Sequence, residues 1–173
     1  IVGRNSLGRF ANKEAALHSL REWLLPGGRI SLSETVVQQS QRVYDLVDLS
    51  SLSGDLQSRL RQAEDAIYAD SSNPLVNWRA EHLRGALEGV GFTVETMELD
   101  EQVVETLVSA STVENWFSRE PTAGRPSYAQ HLLHRISMDE LGEVKAMFVG
   151  QLTGQIVPWR SELAFLSGKL RKL

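Results

Sequence analysis

The chain has 173 residues, a formal net charge of −4 with a pI near 5.6, 42% hydrophobic and 23% charged residues, and no cysteine. That is enough chain to bury a core and an ordinary soluble composition. It excludes disulfides, thiolate metal sites and cysteine nucleophiles, suits a reducing cytoplasmic compartment, and argues against gripping nucleic acid by bulk charge. No apolar run is long enough to cross a bilayer, and no signal-peptide pattern is present.

Ile1-Val2 reads as the end of a strand, and Gly3–Phe10 as a loop. The chain opens without methionine, and the two β-branched residues at its edge predict a segment excised from a longer polypeptide. Asn12 is a candidate N-cap, with Glu14 in the first turn where the helix dipole favours a carboxylate. Leu17, Leu20, Trp23 and Leu24 recur at helical spacing and carry this helix to about Leu25. Pro26 stops it, Gly27-Gly28 supply a tight turn, and Arg29–Ser33 alternates as a strand. Helix, P-G-G turn and strand together make an α/β crossover unit.

Ser33 is placed to cap a helix from about Glu34, with Val36, Val37, Val43, Tyr44, Leu46 and Val47 as a broad apolar face. Leu49–Gly54 breaks it. Asp55–Tyr68 follows as a helix striped by Leu56, Leu60, Ala63 and Ile67, with Arg59, Arg61, Glu64 and Asp65 on its outer face. Asp70–Pro74 is a turn. Asn77 is placed to cap the next helix, which Gly91 ends in a left-handed conformation. Phe92–Leu99 alternates strictly as a strand. Asp100-Glu101 then reads as a turn into a second strand, Val103–Val108, making an antiparallel hairpin.

Thr112–Phe117 reads as a short helix, and Arg119–Pro126 as a mobile loop. Ser127 with Gln130 and Ser137 with Glu140 form capping boxes for helices Tyr128–His134 and Met138–Leu152. Gly154–Pro158 is extended. Ser161 is placed to cap a last helix, Glu162–Leu170, whose basic end Lys169–Lys172 suits the dipole. The fold class is therefore α/β and helix-rich, with about three strands in a mixed sheet, divided at 1–109 and 110–173 into an α/β region and a helical C-terminal extension.

Candidate chemistry is sparse. Gly85, Gly89 and Gly91 close a helix and precede a strand, the reverse of a dinucleotide fingerprint, and no G-x-x-x-x-G-K-[ST] occurs. His131 and His134 have metal-compatible spacing but no third ligand nearby, so they read as a packed or solvated pair and the metal assignment is none. No G-x-S-x-G elbow accompanies the many serines. Glu34 sits at the carboxyl end of a strand, where open α/β sheets bind ligands, and also reads simply as a first-turn helix carboxylate. Trp23, Trp78, Trp116 and Trp159 read as packing anchors. Only Trp159-Arg160 and the Lys169–Lys172 tail approach a stacking platform, so direct nucleic-acid contact is not expected.

The segment P-G-G-R-I-S-L-S-E, followed by Trp78 to Leu83 and then Gly91-Phe92-Thr93-Val94, resembles the distal half of a class I S-adenosylmethionine-dependent methyltransferase over about Ile1 to Val108. That resemblance implies a Rossmann-like sheet. Its glycine-rich cofactor turn and acidic ribose ligand would lie outside this chain, and only Asn5 stands where a cofactor or substrate pocket could be lined. No residue carries a catalytic assignment. Gln41–Asp48, Arg61–Asp70, Asn73–Trp78 and Arg125–Leu132 together resemble the C-terminal part of cyanobacterial fusion proteins carrying a RarA/MgsA-type AAA+ ATPase. This second resemblance implies a non-catalytic accessory role in replication-fork maintenance and recombination, with the ATPase region of the same chain as partner; the alternative is the truncated half of a methyltransferase active only in the intact chain. S-adenosylmethionine and ATP would belong to the parent chain and neither to this segment. Taken as half of a doubly wound sheet, Arg29–Ser33 would be left with an open edge, which predicts self-association or a covering by the added helices.

Overall fold

In the computed structural model, which describes residues 1–121 and 125–171, ten regular elements follow one another: β1 (Val2–Arg4), α1 (Lys13–Arg21), β2 (Arg29–Thr35), α2 (Gly54–Ala69), α3 (Ala80–Gly89), β3 (Phe92–Leu107), α4 (Ala110–Trp116), α5 (Tyr128–Leu132), α6 (Met138–Leu152) and β4 (Ile156–Leu170). The class is α/β with one mixed, four-stranded sheet in the order β1-β2-β4-β3. Two units share it. The first comprises Ile1–Ser40, Ala69–Gln102 and the chain from Arg160 onward; the second comprises Gln41–Tyr68 and Val103–Trp159.

In the first unit, β1 and β2 are parallel, with Val2 opposite Ser31 and Arg4 opposite Ser33. Parallel neighbours need a crossover, and α1 is that crossover. Asn12 caps it as expected, its Oδ1 accepting from the Ala15 amide at 2.9 Å. The P-G-G turn then forces glycine. Gly27 has φ 82°, and a Cβ on Gly28 would stand 2.9 Å from the Leu25 carbonyl oxygen. Leu17 is buried beneath the helix with Ile30, Leu32, Leu83, Leu87, Phe92 and Leu166. Trp23 is not an anchor: it is 83% exposed, beyond the end of α1.

Four corrections concern this unit's strands and caps. Glu34 does not open a helix; β2 continues through it to Thr35, burying Ile30, Leu32 and Glu34 in alternation. The last segment is a strand, not the helix Glu162–Leu170: Ala164, Leu166, Gly168 and Leu170 are buried at period two. It pairs antiparallel with β2, Leu32 opposite Leu166, so the flank of β2 expected to lie open is filled by β4. Asp100-Glu101 does not turn, and the two expected strands are one, β3. Asp-Glu lacks the glycine that a tight two-residue hairpin takes at positive φ. The cap of α3 is Arg79, whose amide donates to His82 Nδ1, while Asn77 Oδ1 instead accepts from Lys13 Nζ.

The second unit has its own core, centred on Leu56, Leu60, Val113, Leu132, Val144 and Phe148. Both capping boxes form as the sequence indicates, Ser137 with Glu140 and Ser127 with Gln130. The helix expected through Val36–Val47 is replaced by two short 3-10 turns, Val37–Gln39 and Val43–Leu46. The second turn is held by Glu64, which is buried rather than on the outer face of α2. Its carboxylate accepts from the Val43 amide, from the Tyr44 amide at 3.2 Å and from the Tyr128 hydroxyl at 2.7 Å. An α-helix would hold those two amides within its own ladder. The expected mobility of Arg119–Pro126 falls partly on residues 122–124, and the basic tail partly on residue 172, which lie outside the described residues.

Burial, the largest influence, pushes the Glu64 carboxyl above its usual 4.5, against the donors from Tyr128, Val43 and Tyr44. A raised folded value means that the folded chain holds this proton more tightly than the unfolded chain. The protonation contribution is therefore complete below 4.5 and declines as pH rises toward the folded value. Glu64→Gln removes that slope and strands a buried donor, so it is expected to cost about 1–3 kcal/mol. Urea unfolding of both proteins across pH 4–8 measures it. A wild-type-minus-variant difference that grows with pH would contradict the assignment.

Candidate functional site

The carboxyl ends of the parallel pair are where an open α/β sheet presents ligand-binding loops. Here the loop after β1 is tied to the end of β2 by side chains of two consecutive residues. Glu34 Oε1 accepts from the Ser6 amide at 2.8 Å, the Ser6 hydroxyl at 2.9 Å and the Leu7 amide at 3.1 Å, and Oε2 accepts from the Gly8 amide at 3.3 Å. The carboxylate satisfies successive backbone N–H groups that would otherwise be left without a protein partner. Glu34 is 1% exposed and engaged by four donors of the loop, so it serves as a loop anchor.

Thr35 fixes Asn5. The Thr35 amide donates to Asn5 Oδ1 at 2.9 Å and its hydroxyl donates to the same oxygen at 3.0 Å, while the Asn5 amide donates to the Ser33 carbonyl at 2.8 Å. A backbone N–H can only donate, so the side-chain atom facing it is the oxygen. Asn5 holds φ 48°, a left-handed conformation that asparagine tolerates better than most residues. The exposed Asn5 amide nitrogen has no partner among the described residues. Asn5 can thus donate to a carbonyl, hydroxyl or anionic group of a ligand, and has no spare acceptor.

Behind the loop, Lys13 is buried. Its ammonium donates to the Phe10 carbonyl at 3.0 Å, the Pro74 carbonyl at 2.8 Å and Asn77 Oδ1 at 3.3 Å, and lies 5.7 Å from the centre of the Trp78 ring. Burial lowers its pKa, with the charge of Glu34 acting in the opposite direction. Lys13 therefore ties α1 to the turn before α3 and is occupied in doing so. Nothing in the local pattern marks this role, because a lysine after an N-cap asparagine ordinarily faces water.

The other sequence candidates do not join this site. His131 and His134 lie in the second unit with ring centres 6.4 Å apart, and no group of three or more metal-compatible side chains occurs among the described residues. Trp116 and Trp159 pack against one another, ring centres 6.2 Å apart. S-adenosylmethionine, the cofactor that the methyltransferase resemblance implies, finds no glycine-rich turn opening a helix at these strand ends. The one carboxylate there, Glu34, is consumed by four donors. The residues present do not fit that cofactor by themselves, and no phosphate-cradling loop for ATP occurs among them.

No protein-family profile and no curated protein matches the chain. Among solved structures it is similar to a Bacillus halodurans protein assigned to the methyltransferases, at 12% identity and a TM-score of 0.47, over 99% of this chain and 68% of that one. It is similar to the YcgJ protein of Bacillus subtilis at 9% identity and a TM-score of 0.45, over 100% of this chain and 64% of that one. A third similarity is to a Haemonchus contortus phosphoethanolamine N-methyltransferase 2, solved with phosphomonomethylethanolamine and S-adenosylhomocysteine, at 9% identity and a TM-score of 0.40, over 99% of this chain and 33% of that one. Likenesses this distant leave the function to be argued from this chain's own residues.

Glu34→Ala removes the acceptor for four donors, three of them backbone amides of the loop after β1. The expected cost is about 3 kcal/mol. The amides of Ser6, Leu7 and Gly8 should lose hydrogen-exchange protection well before the amides of α3 do. Equal loss across the first unit would show that Glu34 supports the core and not the loop.

Proposed function

We propose that this chain supplies the acceptor-substrate side of a methyltransferase-type active site, with Asn5 as a positioning donor. The cofactor side would come from further strands pairing along the open flank of β1. The observation that carries this reading is the order of elements within one sheet. The segments of the resemblance are the P-G-G turn and strand, the helix running from just after Trp78 past Leu83, and the Gly91-Phe92-Thr93-Val94 strand. They form β2, α3 and β3, and Asn5 stands at the carboxyl end of the parallel neighbour of β2. The flank of β1 supports it too: Val2 is 87% exposed on a strand with one neighbour. No transfer step is assigned to the residues present. Their chemistry is hydrogen-bond donation and loop positioning, with Glu34 keeping the loop closed and Thr35 keeping the Asn5 amide aimed outward.

Calorimetric titration of S-adenosylmethionine tests this. The 173-residue chain is expected to give no binding heat, and the full-length natural polypeptide is expected to bind at micromolar concentration. Asn5→Gly, which keeps the left-handed backbone, should leave that affinity within about twofold because Asn5 acts on the acceptor side. Micromolar binding by the 173-residue chain, or loss of cofactor binding in the variant, would overturn the reading.

A second reading places the chain as an accessory unit of a RarA/MgsA-type AAA+ ATPase, acting in assembly at replication forks. It is favoured by where three of the four segments of that resemblance fall, the fourth, Asn73–Trp78, lying in the first unit. Arg42 and Tyr44, Arg61 to Tyr68, and Tyr128 all gather around Glu64 and Asp65 in the second unit, with the Arg42 guanidinium 3.7 Å from the Tyr68 ring centre and Arg61 4.8 Å from that of Tyr44. Sedimentation of the chain mixed with such an ATPase core distinguishes the readings. A stable joint species supports assembly, and independent sedimentation at tens of micromolar removes it.

A further inference from the structure

At the opposite end of β2 from Asn5 lies a recess of about 410 Å³, bordered by the last turn of α1 and the end of β4. The seven residues of β2 separate the two places by about 20 Å. Two guanidinium groups converge there on one corner of the backbone. Arg21 packs over Gly91, its Cζ 3.8 Å from where a Cβ would stand, and Gly91 has φ 95°, which a side chain would strain. Arg171 reaches the same corner, donating from Nη2 to the Phe92 carbonyl at 3.1 Å and from its amide to the Gly91 carbonyl at 3.0 Å. Leu24 and Leu170 wall the recess.

The charges at this corner are not balanced. The half-buried Arg21 guanidinium has no hydrogen bond or ion pair among the described residues. Arg171 donates only to carbonyl oxygens. The one carboxylate lining the recess, Glu22, lies 3.8 Å from His18 Nδ1 and is shared with that ring. Two adjacent guanidiniums without a carboxylate between them, in a chain whose net charge is −4, are a local inversion of sign. Guanidinium donors fit tetrahedral oxyanions in a bidentate manner, and two positive charges match a dianion better than a monoanion. The recess volume falls at the lower end of the range of small-molecule sites.

We propose that this recess binds a small phosphate monoester, its dianionic head held between Arg21 and Arg171 and its organic part against Leu24 and Leu170. The site is independent of the methyltransferase-type reading, since none of its residues belongs to the carboxyl-end loop. It lies at the far end of the strand that anchors that loop.

The test is an amide and guanidinium NMR titration of the chain with phenyl phosphate, with dimethyl phosphate as the monoanionic control. Binding should shift the resonances of Arg21, Gly91 and Arg171. Arg21→Gln and Arg171→Gln should each weaken it about tenfold or more, while Arg29→Gln, which removes an exposed guanidinium bonded to Glu95 at 3.1 Å, should leave it unchanged. Because all three variants change exposed or half-buried side chains, their folding is checked in the same spectra. The proposal is overturned by an absence of shifts at these residues up to about 10 mM, the upper end of weak single-anion binding. Equal response to dimethyl phosphate, or equal weakening by Arg29→Gln, would also overturn it, since either marks diffuse attraction.

Discussion

The carboxylate of Glu34 is the interaction on which the first unit's working end depends. A parallel strand pair leaves its connecting loop to find partners for its own amides, and a loop over a buried strand end cannot find them in water. One acidic side chain, buried by the alternation of β2, meets four donors from Ser6, Leu7 and Gly8. The next residue, Thr35, points the other way and locks Asn5. The period-two geometry of a strand thus divides the labour: the inward residue closes the loop and the outward residue orients the donor.

The second unit repeats the device with Glu64. There the buried carboxylate comes from a helix and meets the amides of a 3-10 turn and a tyrosine hydroxyl. In each unit a connecting segment is held by a carboxyl group that the core has buried. Such anchors are costly to bury and costlier to break, because removing the acceptor leaves several donors unpaired at once. Arg59 makes a more exposed version, bonding Asp55, Glu140 and the Arg135 carbonyl together; its bond is the chief reason that the Glu140 carboxyl is held down to about 2.

Local rules were enough wherever the chain's chemistry had one reading. The P-G-G turn, the Asn12 cap, the two capping boxes and the Phe92–Leu99 strand could be read directly, since each rests on steric or hydrogen-bond demands within a few residues. The last strand could not. Leu163, Leu166 and Leu170 are spaced three and four apart, as on a helix face, whereas Ala164, Leu166, Gly168 and Leu170 are spaced as on a strand face. Small residues at 164 and 168 hid the second pattern. They are small because β4 lies between two strands: a Cβ on Gly168 would touch Phe92 Cβ at 3.4 Å. The pairing partner that decides between the two periods is more than a hundred residues away in the chain.

The buried carboxylates show a different limit. Glu64 follows Leu60 by four and precedes Ile67 by three, so its place within the apolar stripe of α2 was visible, but a glutamate there reads as surface unless its donors are known. Those donors are backbone amides of Val43 and Tyr44, and every residue except proline carries such an amide. Sequence therefore cannot mark them, and the same is true of the amides that Glu34 holds. Where function depends on how a loop's own backbone is held, as at Asn5, the decisive partner is chemically anonymous. It becomes identifiable only when the sheet has brought a carboxylate to the strand end, and for that reason the candidate site here is defined by an anchor and an oriented amide and not by a motif.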